Sequence, residues 1–125
     1  AEACCETGDL PNAKAALKEV RDRVGLPQFP YTATIQGRRV TFTDNQADLR
    51  TAIRHERRVE LAMEGHRWFD LTRWGIAKET MDNYMSGETE EARSLYGTFQ
   101  KGKHELFPIP SKEIDLSGIE QNPNW

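Results

Sequence analysis

Residues 55–75, HERRVELAMEGHRWFDLTRWG, constrain the fold more than any other stretch of the chain. These 21 residues hold three Glu, one Asp, four Arg and three large aromatics. Glu56, Glu60 and Glu64 follow one another at intervals of four. Arg57 lies three before Glu60, Arg67 three before Asp70, and Asp70 three before Arg73. Residues three or four apart face each other on a helix. The stretch therefore reads as helical, and as either a catalytic carboxylate cluster or an internal ionic clasp.

The surrounding chain narrows the choice. It has 125 residues, one domain's worth, and can bury roughly two-thirds of its surface. Ala1 opens onto a stretch that already reads as helical, so a piece of a longer protein is expected. With 17 basic and 20 acidic residues the net charge is −3, which offers no field for nucleic acid or an anionic membrane. Eleven aromatics (three Trp, three Tyr, five Phe) argue against disorder. No run approaches the ~20 apolar residues of a membrane span. Cys4 and Cys5 are adjacent, follow no apolar leader, and read as small buried helix residues.

In chain order, residues 1–24 read as two helical pieces joined at Gly8-Asp9, with Asp9 as N-cap, Pro11 in the first turn and Gly25 as the stop. Ala13, Ala16, Leu17, Val20 and Val24 form one apolar face. The Gly-Asp turn between helices resembles half of a tetratricopeptide-type hairpin. Residues 33–42, where Ile35 and Val40 flank Gln36-Gly37, read either as a short β-hairpin leaning on the helices or as a plain extended loop. Thr43 and Gln46 have capping-box spacing, with Asp44 as competing N-cap, and a helix is expected from there to about Glu64. Its inward stripe holds Leu49, Ala52, Ile53, Glu56, Val59, Glu60 and Met63, so two glutamates fall among apolar residues. Another helix is expected from His66 to about Met85, with Gly75 as an interruption, and Trp68, Leu71 and Trp74 share one side of it as core. Residues 87–97 allow a short polar helix. Pro108 and Pro110 impose an extended strip, after which Ser111 caps a single turn.

Several chemistries can be weighed. His55-Glu56 begins a zinc-type H-E-x-x-H, but Val59 occupies the place of the second His, and no metal or cofactor ligand set results. A glycoside hydrolase would need two carboxylates flanking a bond, which a pair among Glu56, Glu60 and Glu64 could supply. Each glutamate nevertheless has arginines nearby, which favour ionised carboxylates over a proton donor. Buried pairing of these charges is therefore the reading preferred. A tetratricopeptide-like adaptor that binds peptides is the third reading. Tyr84, Tyr96 and Phe99 are the aromatics best suited to a surface.

The segment 53–75 resembles the I-x-x-E-R-R-x-E-L-x-x-E-G-x-R-x-x-D-L-x-R-W-G pattern of SusD/RagB family proteins. It matches at Ile53, Glu56, Arg57, Arg58, Glu60, Leu61, Glu64, Gly65, Arg67, Asp70, Leu71, Arg73, Trp74 and Gly75. HELFPIPSKEI and QNPNW resemble that family's Pro-Ile-Pro strip and its ending, and LKEVRDRVGLP one of its helices. Asn124 stands where Gly is usual, Trp125 where Tyr is, Val24 where Ala is and Lys18 where Asn is.

The resemblance implies a mainly α-helical, tetratricopeptide-like fold with an extended Pro-containing tail. It implies a non-catalytic glycan-binding lipoprotein of the bacterial outer membrane, delivering oligosaccharides to a SusC-type TonB-dependent transporter. Family members are several times longer, so residues 1–125 are expected to form the C-terminal segment of such a protein, with the lipid anchor outside it. The family's sugar-contacting aromatics are expected mostly outside this segment, so the resemblance carries no binding residue onto this chain.

Overall fold

Two glycines set the layout by stopping helices in the same way. In the computed structural model, which describes residues 1–125, the first helices are α1 (Glu2–Glu6) and α2 (Leu10–Arg23). After α2, Gly25 takes φ 68°, its N–H reaches the Asp22 carbonyl, and the Leu26 N–H reaches the Arg21 carbonyl. The same double closure ends α4 (Arg67–Arg73), where Gly75 takes φ 69°, bonds Thr72, and lets Ile76 bond Leu71. Only a residue free to adopt positive φ at no steric cost makes this Schellman turn readily. The expected interruption at Gly75 is thus a full stop, and α5 (Ala77–Ser86) is a separate helix.

The remaining elements are β1 (Thr32–Ile35), β2 (Arg38–Thr41), α3 (Gln46–Glu60), α6 (Glu90–Tyr96) and α7 (Ser111–Ser117). The protein is mainly helical, 52% by residue, with one two-stranded antiparallel hairpin. The chain divides into two compact units, residues 1–64 and 65–125.

In the first unit Asp9 caps α2 by accepting from the Asn12 backbone N–H, as expected. Cys5, Ala13, Leu17, Leu49, Ala52 and Ile53 from the three helices form one buried cluster with Tyr31 and Phe42, which flank the hairpin. The Gln46 amide ties α3 to α1 by donating to the Cys5 carbonyl at 2.6 Å. The hairpin pairs Thr32 with Thr41 and Ile35 with Arg38. Its turn residues Gln36 and Gly37 both have positive φ, 50° and 75°, the type I′ geometry that matches strand twist. Ala33, Ile35 and Val40 pack against the cluster, so the hairpin does lean on the helices.

Three expectations need correction here. Val24 lies beyond the last turn of α2 as its C-cap and is half exposed. The α3 cap is Asn45, whose side chain accepts from the Asp48 N–H, while Asp48 reaches back to the Thr43 N–H and hydroxyl. Thr43 is therefore the partner of the box and not its cap. Helix α3 also stops at Glu60, and the chain turns through Met63 (φ 69°) and Gly65 (φ 77°). Val59, Glu60 and Met63, expected on the inward stripe, are exposed.

The second unit buries only Leu71, Ala77 and Asp70. Its tail is held by side-chain amides. Pro108 and Pro110 lack N–H groups, and both backbone groups of Ile109 between them are taken by the Gln121 amide, at 2.7 and 2.9 Å. Asn122 donates to the Phe107 carbonyl, Asn124 to Gly102, and the Trp125 indole to Lys103 and Leu106. This explains why the Pro-Ile-Pro strip and the QNPNW ending occur together: one supplies the amides that the other needs. Asn124 has φ 67°, and Asn tolerates this left-handed conformation better than most residues. The strip is extended as expected. Ser111 is the first residue of a two-turn helix, capped by no side chain, and not the cap of a single turn.

Candidate functional site

The carboxylates of the 55–75 stretch are largely committed to partners. Glu56 projects from α3 into the first unit, and Arg21 of α2 meets its Oε2 through Nη1. Their side chains are only 9% and 5% exposed. Arg21 also donates through Nε to the Pro27 carbonyl at 2.7 Å, and its guanidinium lies 3.9 Å from the centre of the Tyr31 ring. Burial raises the Tyr31 phenol above its ordinary pKa, with Arg21 opposing the shift. One turn on, both carboxylate oxygens of Glu60 accept from Nη2 of Arg23, at 2.5 and 2.7 Å, in a far more exposed setting. Glu64 lies in the exposed turn after the helix.

An apolar-walled groove of about 250 Å³ runs beside this array, between Leu17, Val20, Ile53 and Leu61 with Glu56 and Glu60 at its edge. A general acid must carry a proton on an oxygen aimed at the bond being cleaved. Here Oε2 of Glu56 is bound by Arg21 and both oxygens of Glu60 are bound by Arg23. The array is built for orientation of α2 against α3. His55, half buried beside it, is held below its ordinary pKa by desolvation, which Glu56 partly offsets.

In the second unit Asp70 is buried and accepts from Arg73 at 2.9 Å through Nε and Nη2, the i,i+3 pairing expected from the sequence. Arg67 and Arg73 lie 5.8 and 4.9 Å from the Trp74 ring centre. Leu71 is core, but Trp68 and Trp74 are only half buried.

Trp68 instead borders a second cavity of about 260 Å³, shared with Phe99, His104, Phe107, Trp125 and Tyr96. Five rings follow in sequence of contact. Phe107 lies 6.5 Å from Trp68, Trp68 5.9 Å from Phe99, Phe99 5.5 Å from His104 and His104 5.6 Å from Trp125. These are the tilted and edge-to-face spacings favoured by ring quadrupoles. The Gln100 N–H donates to His104 Nδ1, which leaves Nε2 as the protonated nitrogen of a neutral imidazole. The walls of this basin carry no Asp, Glu, Lys or Arg.

The expected within-stretch clasp is thus realised at Asp70–Arg73, whereas Glu56 and Glu60 find their arginines on α2. The signal for Arg21 was present. It lies four residues after Leu17 and eight after Ala13, on the same buried face of α2. The aromatic basin had no such signal, because its rings come from positions 68, 99, 104, 107 and 125 with no common period. Of the surface aromatics singled out, Tyr84 and Tyr96 are exposed, and Phe99 is half buried among the rings. No helix is long and apolar enough to cross a membrane.

Compared with known proteins, residues 1–125 match the family model described as the SusD family. Neither a curated protein nor a solved structure gives a match.

Proposed function

The chain belongs to the SusD family along all of residues 1–125, and from that premise we propose that it is the C-terminal segment of a glycan-capturing surface protein. The family implies glycan binding in nutrient uptake, and its members are generally non-catalytic binding proteins, typically outer-membrane-associated lipoproteins. On our reading the whole protein is held at the cell surface by a lipid anchor outside this segment. It passes oligosaccharides to a SusC-type TonB-dependent transporter, and this segment completes its helical scaffold. The observation that carries the reading is the committed state of the carboxylates: Glu56 and Glu60 are bound by Arg21 and Arg23.

The test is to offer the protein neutral oligosaccharides and follow both binding and products. Binding without release of new reducing ends is expected. Release of reducing ends that disappears in Glu60→Gln would replace this reading with a glycoside hydrolase. Retention of peptides with no glycan bound would replace it with an adaptor.

A further inference from the structure

We propose that the aromatic basin of residues 65–125 holds one ring of a neutral sugar, with Phe107 and Trp68 as stacking faces and Thr98 and His104 as hydrogen-bonding groups. The inference rests on the glycan-binding reading and gives it a location on this chain, which the family match does not supply.

Three features carry it. First, the cavity offers about 260 Å³, room for a single small ring and not for a helix or a strand. Second, its walls pair ring faces with neutral polar groups: the Thr98 hydroxyl and the His104 ring, whose Nε2–H is a donor. A pyranose has the complementary character, with C–H groups on its faces and hydroxyls on its rim. The electron-rich face of an aromatic ring attracts those C–H hydrogens. The lining carries no Asp, Glu, Lys or Arg, and the nearby cation Lys103 lies over the Trp125 ring at 4.5 Å.

Third, one ring of the basin and the backbone of another are held before any ligand arrives. Trp125 is anchored by two carbonyls through its indole N–H, and Lys103 covers it at 4.5 Å. Asn122 holds the Phe107 backbone. Phe107 is nonetheless 69% exposed, so its face is open to a ligand. Rings held in place lose little conformational freedom on binding.

The experiment is titration of the full chain with maltoheptaose, cellohexaose, xylohexaose and mannohexaose. Tryptophan fluorescence and affinity electrophoresis are the readouts, and circular dichroism checks each variant's fold. A saturable signal with at least one sugar is expected, weakened about tenfold or more in Phe107→Ala and in Tyr96→Ala. Phe69→Ala, an exposed ring outside the basin, is expected to bind like the parent. Glycan binding that survives both basin substitutions within about twofold would overturn the basin and leave the glycan-binding reading standing. Absence of binding to all four sugars would overturn the basin and leave the reading of the whole protein to its own test. Self-association of the chain that Phe107→Ala abolishes would assign the basin to a second copy instead.

Discussion

The two units use opposite means to hold their shape. Residues 1–64 bury eight apolar residues in one cluster and enclose a charge pair within it. Residues 65–125 bury only Leu71, Ala77 and Asp70, and rely on side-chain amides bonded to the backbone of a Pro-containing tail. The first arrangement hides its reactive groups. The second leaves its rings in contact with solvent. In one molecule, the region richest in acids and bases is thus the scaffold, and the aromatic cavity whose lining carries no Asp, Glu, Lys or Arg is the binding candidate.

The largest effect is expected at Arg21. Arg21→Ala leaves the Glu56 carboxylate buried without its partner, and a loss of about 3–5 kcal/mol in urea unfolding is expected. A smaller loss, about 1–3 kcal/mol, is expected for Gln121→Ala in the second unit. It removes both hydrogen bonds of the Ile109 peptide, and proteolysis of the tail would report it as well. Arg23→Ala tests the exposed counterpart of the Arg21 pair and should cost no more than about 1 kcal/mol, because solvent screens that contact.

The smallest effect is a pH dependence. Folding lowers the His55 pKa from its usual 6.5, so below that value the unfolded chain binds more protons than the folded one. Stability should therefore fall as pH drops through and below 6.5, and thermal melts of His55→Gln should show a shallower fall over the same window. Asp48, held low by hydrogen bonds from Thr43, contributes in a separate window, where stability is lost as pH falls below its usual 3.8.

What was legible in the sequence divides along the same line. Helix α2 was readable with its Asp9 cap and Gly25 stop because both signals are local. The hairpin was readable only as one of two options, because Gln36-Gly37 between β-branched runs also suits an extended loop, and packing on the helices decides for the hairpin. Extension of α3 to Glu64 followed the apolar period past the point where Met63 adopts positive φ, which no period reports. The inward direction of Glu56 is visible in the sequence but its partner is not, because i,i+3 and i,i+4 rules describe only one helix at a time. Arg21 lies 35 residues away, and only tertiary packing brings it there. The basin was illegible for a similar reason: five rings from four segments converge on it.

The most direct test of the claim that the acidic stretch is scaffold is a double-mutant cycle on Arg21 and Glu56, read by urea unfolding. Arg21→Met and Glu56→Leu should each cost about 3–5 kcal/mol, while the double variant recovers most of that loss because no charge is left buried alone. Two single variants that each cost less than about 0.5 kcal/mol and simply add would contradict the account, by showing solvated carboxylates free for chemistry.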